Sequence, residues 1–154
     1  PQAWLADVLA RIADHPATPA TAGWRLPCTQ EEFVMTDHGT ATCIEVPRAE
    51  QIARLNDRLR RGDSSSGTVM ITQGVQRITG FDAGVLAEAL ANYSDFDPDN
   101  DPHGERDFGL MTLWGHDLLW KLDYYDKELK FGSDDPANPD ITHRVLTVLL
   151  SSDW

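Results

Sequence analysis

Four aspartates alternate along one short stretch of this 154-residue chain, Asp95, Asp97, Asp99 and Asp101, with Asn100 inside the run and His103, Glu105 and Asp107 just beyond it. Closely spaced carboxylates on a loop are the donors that hard cations such as calcium or magnesium take, because those ions collect about six to eight oxygens. The spacing departs from an EF-hand loop. Counting from Asp95, Asn100 stands where that loop needs glycine, and Arg106 stands where it needs glutamate. The competing reading is a rigid loop whose aspartates cap turns and accept from nearby backbone N–H groups, with Pro98 and Pro102 limiting its freedom. If the loop folds over a following hairpin, His103, Glu105 and Asp107 join Lys121, Asp123 or Tyr125, a set with the elements of acid–base catalysis. No nucleophile motif, phosphate-cradling glycine loop or HExxH sequence accompanies them. An ion-pair network through Arg106, Lys121 or Arg144 is therefore the stronger expectation. The DFG at 107–109 has none of the other protein-kinase motifs around it.

These residues belong to a lopsided distribution of charge. Residues 82–154 hold 16 of the 25 acidic residues and five of the 13 basic ones, whereas the first 81 nearly balance, with nine acidic and eight basic. A field concentrated in this way attracts metal ions or basic proteins and repels a nucleic-acid backbone. The residues expected to meet a partner are Asp97, Asp99, Asp101, Glu105, Asp134 and Asp135, with Trp114 as an aromatic anchor near a strand end. Asp95, Asp97, Asp99 and Asp101 are the candidate metal ligands.

The elements that must position them are readable from periodicity. Trp4, Leu5, Val8, Leu9 and Ile12 share one helical face, and a Pro-, Ala- and Thr-rich connector follows at 15–23. Pieces at 32–36 and 40–46, parted by Asp37-His38-Gly39, predict a hairpin. Ile52, Leu55 and Leu59 stripe a helix over 49–61 that stops at Gly62. Its arginines, Arg54, Arg58, Arg60 and Arg61, are expected on a solvated face or, failing that, on a basic binding face. A strand at 68–72 comes next, then a helix from an Asp82 N-cap to Tyr93 with Val85, Leu86, Ala89 and Leu90 inward. Alternation on both sides of Gly115-His116-Asp117 predicts two antiparallel strands, with Trp120 in the core. Asp140 is expected to cap a final helix bearing Val145, Leu146, Leu149 and Leu150.

Composition sets the frame. A 41% apolar content and five tryptophans suit one folded domain of ordinary size. No apolar run approaches the roughly 20 residues of a spanning helix, and no basic-then-apolar leader is visible, so the expected compartment is the cytoplasm. Cys28 and Cys43, with His38 between them, do not have zinc-site spacing; two reduced thiols are expected, with a disulfide as the alternative.

Several segments together resemble one bacterial family. LND at 55–57, TQGV at 72–75, DNDPHGERDFG at 99–109, WKLDYYD at 120–126, SDDPANPD at 133–140 and THRVLTVLL at 142–150 are similar in order and spacing to the domain of unknown function family 3768, over about residues 50–154. The resemblance implies no established activity. It does imply an association with plasmids and other mobile elements. In the family pattern a histidine usually precedes the DFG where this chain has Arg106, which weakens a catalytic reading of the loop.

The fold expected is α+β: a small antiparallel sheet packed against two or three helices over 50–154, with an N-terminal extension of helix, connector and hairpin over 1–49. The function expected is that of a non-enzymatic acidic binding protein. It would engage a basic protein partner, such as a nucleic-acid-binding protein of a defence or maintenance system, and inhibit it by occupying the site that meets phosphate. No direct contact with nucleic acid or membrane is expected, and no cofactor. The alternative is a divalent-metal-binding protein or metal-dependent hydrolase using the loop at 95–107, with calcium or magnesium bound.

Overall fold

The computed structural model describes residues 31–35, 41–65 and 67–154, and of 31–35 and 41–45 the backbone alone. The helix expected over 4–12, the connector at 15–23, Cys28, the Cys43 side chain and the turn at 37–39 with His38 lie outside the described residues. The expected hairpin strands are present as β1 (Glu31–Met35) and β2 (Ala41–Glu45), antiparallel, with Phe33 opposite Cys43.

Beyond them come helix α1 (Arg48–Arg60), strand β3 (Gly67–Ile71), the short helix α2 (Gln73–Gln76), helix α3 (Ala83–Asn92), and strands β4 (Phe108–Leu113), β5 (His116–Tyr125) and β6 (His143–Leu150). The fold is α+β. Its four-stranded sheet has the order β3-β6-β5-β4. The antiparallel expectation holds for β4, β5 and β6, but β3 runs parallel to β6, so the sheet is mixed. One face of it presents Leu118, Trp120 and Leu122 from β5 and Leu146 and Val148 from β6, and these cluster with Leu59, Val75, Ile78, Leu86 and Leu90 of the helical segments. Alternate residues of a strand point to the same face, and that places this core on one side. No helix among the described residues is long and apolar enough to cross a membrane.

Local chemistry accounts for most of these elements. Asp82 caps α3 as expected, its Oδ1 accepting from Gly84 N–H at 2.8 Å and Val85 N–H at 3.0 Å. Val85 itself faces solvent, while Leu86 and Leu90 are buried. The β4–β5 loop is tighter than expected: Leu113 pairs with His116, and the two residues between them, Trp114 and Gly115, both have positive φ. A two-residue loop of that kind matches the twist of the strands it joins. Gly109 has a packing reason, because a Cβ there would lie 2.6 Å from the Trp120 indole nitrogen and 2.6 Å from the Tyr93 ring. The glycine of the DFG is therefore required by close packing under Trp120.

The final helix is not formed. Residues 143–150 are β6, a central strand of the sheet. Val145, Leu146, Leu149 and Leu150 do fit a helical face, but Val145, Thr147 and Val148 are β-branched and favour a strand. The alternation that decides it is Arg144, Leu146 and Val148, all fully buried. An arginine at an inward position hides that pattern from a hydrophobicity reading.

Candidate functional site at the acidic end of the sheet

The topology gathers the acidic loops at one end. β4 begins, β5 ends and β6 begins at the same edge, since Phe108 pairs with Lys121 and Tyr125 pairs with His143. The segment 94–107 leads into β4 and 126–142 joins β5 to β6, so both leave from this end. The first carries six acidic residues and one basic, the second five acidic and two basic.

Beneath the loops lies a buried polar network. Helix α1 turns Ile52, Ala53, Asn56, Asp57, Leu59 and Arg60 inward, so its buried stripe includes three polar residues. This corrects the expectation for Arg60, which is 4% exposed, whereas Arg54, Arg58 and Arg61 remain at the surface. Asn56 is the hub. Its Nδ2 donates to Glu105 O at 2.8 Å and to Tyr124 Oη at 2.7 Å, and its Oδ1 accepts from Arg144 Nε at 3.0 Å. Arg144 also donates through Nη2 to Pro136 O and lies over the Tyr124 ring, 5.6 Å from its centroid. Asn56 thereby ties α1 to the first acidic loop, β5 and β6, and Arg144 extends the link to the second loop. Gly67 allows β3 this close to β6 and α1, because a Cβ there would lie 2.3 Å from Arg144 O and 2.8 Å from a Leu59 methyl.

A second branch is ionic. Asp57 accepts from Arg60 at 2.7 Å and Arg106 at 2.8 Å, and Arg106 reaches Glu50 at 3.0 Å. Arg60 donates onward to Tyr93 O at 2.8 Å and to Leu90 O, and its guanidinium sits 5.3 Å from the Phe96 ring centroid and 5.6 Å from that of Trp120. Burial alone would raise the Asp57 pKa, but the hydrogen bonds and charges of Arg60 and Arg106 outweigh it and hold the carboxyl below its usual value. Glu105 and Asp107 move the other way. Burial raises both, with the Asp107 charge adding to the effect on Glu105 and the Asp101 and Asp123 charges to that on Asp107. Burial pushes Tyr124 well above the ordinary phenol range and lowers Arg144.

The expected site residues divide by what holds them. Asp97 Oδ1 accepts from Asp99 N–H at 2.8 Å and Asn100 N–H at 3.0 Å, and Asp101 Oδ1 accepts from Glu105 N–H at 2.9 Å and Arg106 N–H at 3.1 Å. These are the turn-capping roles that compete with metal ligation. Asp95 is exposed and offers its carbonyl to Asn100 and Tyr93. No group of three or more His, Cys, Asp or Glu side chains suited to a metal ion converges among the described residues. Glu105 is half-buried, with Tyr124 Oη 3.4 Å from Oε2. Asp135 pairs with Arg48 at 2.8 Å and caps Ala137 N–H. Thr142 draws the second loop inward through Asp135 O at 2.8 Å and Ser133 Oγ at 2.6 Å, leaving Asp134 and Asp140 exposed. Trp114 is half-buried, edge-on to Phe81 at 5.5 Å between ring centroids, so it packs against the core. Lys121 grips Asp123 through both oxygens, at 3.0 and 2.8 Å, and faces the Trp154 ring. The ion-pair network expected of Arg106 and Lys121 is therefore present, while Arg144 contacts an amide and a carbonyl in place of an aspartate.

A family model described as "Protein of unknown function (DUF3768)" matches residues 71–153. The chain belongs to the DUF3768 family. No curated protein and no solved structure matches it. The DUF3768 span contains Glu105, Arg106, Tyr124, Pro136 and Arg144, but Asn56 and Asp57, which close the network, precede it. Four of the segments that carried the resemblance, separated by up to 88 residues, meet at Asn56. Asn56 and Arg60 are site-building residues that the sequence reading does not single out, and Arg144, expected to meet an aspartate, meets the Asn56 amide. The available signal was a polar residue at each inward position of an otherwise apolar stripe.

Proposed function

We propose that this protein is a non-enzymatic binding protein that engages a basic protein partner through the acidic end of its sheet. The observation that supports this reading is the contrast in how charge is used there. Asp99, Asp134 and Asp140 are exposed, and no ion pair reaches them among the described residues. The cations Arg106, Lys127 and Arg144 are turned onto internal acceptors, Lys127 donating to Pro139 O at 2.6 Å and Thr142 O at 3.0 Å. The field at this end stays net negative, with Lys130 an exposed cation in the second loop and Arg48 paired with Asp135, and it steers a positive surface toward the loops. Carboxylates spaced along two loops imitate a row of phosphates, so a nucleic-acid-binding protein of a defence or maintenance system fits as the partner and its phosphate site as the target. Mobile elements and the bacterial cytoplasm are the proposed setting.

The test is charge reversal at the three carboxylates that hold nothing else. A partner isolated on the tagged protein is titrated against the wild type and against the combined Asp99→Lys, Asp134→Lys and Asp140→Lys variant. The expected result is association slower by about tenfold or more, with a flattened dependence on salt. Unchanged association and unchanged salt dependence would overturn the proposal.

A further inference from the structure

Strand β4 is the outermost strand beside the acidic loop, and no strand pairs with its outer edge among the described residues. Leu122 N–H donates to Asp107 O at 2.7 Å. Counting in steps of two from that pair, Gly109, Met111 and Leu113 exchange backbone bonds with β5, while Phe108, Leu110 and Thr112 turn theirs outward. Native proteins usually guard such an edge with lysine, proline or a bulge. The sequence FGLMTL has neither residue, and its register runs without interruption. The guard here is a tyrosine: Tyr93 Oη accepts from Leu110 N–H at 3.3 Å and donates to Asp95 O at 2.9 Å. The first contact is long for an N–H···O bond, so it is easily displaced. The second holds the opening of the acidic loop against the same edge. Leu110 is 53% exposed, and a groove of about 480 Å³ runs beside it, lined by Leu110, Met111, Thr112, Asp117, Leu118 and Ser151. The Ser151 hydroxyl is buried with no hydrogen-bond partner among the described residues.

We infer that the basic partner is held as an extended segment that adds to the free edge of β4. Its backbone pairs with the outward groups of Phe108, Leu110 and Thr112. An apolar side chain enters the groove, and lysine or arginine side chains reach the loop that Asp95 opens. This rests on the acidic recognition proposed above and names how the partner is gripped. A second copy of the chain is a poor occupant, because each carries a net charge of −12 and edge-to-edge pairing would bring two acidic loops together.

The probe is a ten-residue synthetic peptide alternating lysine and valine, followed by fluorescence anisotropy on the full chain. Two further peptides of equal charge are N-methylated, one at the lysine nitrogens and the other at the valine nitrogens. The expected result is that the parent binds and that at least one methylated form binds about tenfold or more weakly, since alternate residues turn their N–H groups to the edge and one of the two peptides lacks them. Thr112→Pro removes an outward N–H without breaking a backbone bond to β5 and weakens the parent similarly, whereas Thr112→Val, which loses only the Thr112 hydroxyl bond to Asp117 Oδ1, leaves binding unchanged. Should Thr112→Pro fail to fold, the methylated peptides still decide. Equal binding by all three peptides, with loss on reversing Asp99, Asp134 and Asp140, overturns the strand inference and leaves the acidic reading standing. Binding that ignores both salt and those reversals overturns the acidic reading, and no binding by the parent overturns both. A dimer that Thr112→Pro disperses would assign the edge to a second copy and overturn the inference as well.

Discussion

Asp57 and Asp99 are both aspartates at the acidic end of the sheet, yet they live under opposite conditions. Asp57 is 7% exposed and accepts from two guanidinium groups. Asp99 is exposed and has no ion pair among the described residues. The difference shows how one residue type serves two purposes. A carboxylate withdrawn from water must be matched by donors and then fixes architecture. One left in water contributes little to stability and remains available to a partner. The acidic surface is thus displayed on a frame in which Asp57 is matched by Arg60 and Arg106 from within.

The comparison breaks most visibly at Asp57. Replacing it with alanine leaves Arg60 buried without its carboxylate and should cost about 3–5 kcal/mol of stability by urea unfolding. Asp99→Ala should leave the midpoint unchanged. The sign with pH follows from the lowered pKa: the stabilisation is fully present above the unfolded value near 3.8 and is lost as pH falls through the folded value below it. That acid-sensitive component should be absent from Asp57→Ala. Similar midpoints for the two variants would mean that the buried network is not what holds α1 to the loops.

A slightly smaller effect is expected on β6, which carries the inward frame. Leu146→Ala removes a side chain that is 0% exposed in the core and should cost about 2–5 kcal/mol. Thr147→Ala, on the opposite face and half-buried, should cost under about 1 kcal/mol. The alternation is the point of the pair. Equal losses at the two positions would argue against a strand with one core face.

Much of this frame was legible in the residues. α1, β3, α3 and the β4–β5 hairpin announce themselves because their stripes are apolar and their ends carry Gly62, Asp82 and Gly115. β6 was misread because its inward positions are an arginine, a leucine and a valine, and a buried arginine counts as surface in any reading by hydrophobicity. The same blindness hid Asn56 and Arg60. Most of their hydrogen-bond partners lie 30 to 88 residues away, and nothing local reports that. The acidic loops were legible as charge, but the turn-capping of Asp97 and Asp101 depends on backbone geometry that charge does not reveal.

Asp107 lies between the two regimes, and it sharpens where the boundary falls. It is half-buried at the start of β4, its pKa raised by burial and by the Asp101 and Asp123 charges, with His103 acting the other way. No cation donates to its carboxylate among the described residues. A carboxyl whose folded pKa exceeds its unfolded value binds more protons in the folded state between the two, so stability falls as pH rises through that window, which opens near 3.8. Above the window the full penalty of a poorly compensated charge is present. Asp107→Asn removes that penalty, so the variant should be the more stable protein at pH 7, and its advantage should shrink toward zero as pH drops below the unfolded value. Urea unfolding of both proteins at neutral and acidic pH measures the difference. A variant less stable at pH 7 would place Asp107 with Asp57, as a carboxylate whose charge the frame requires; a more stable one places it with the exposed aspartates, kept for what the acidic end meets.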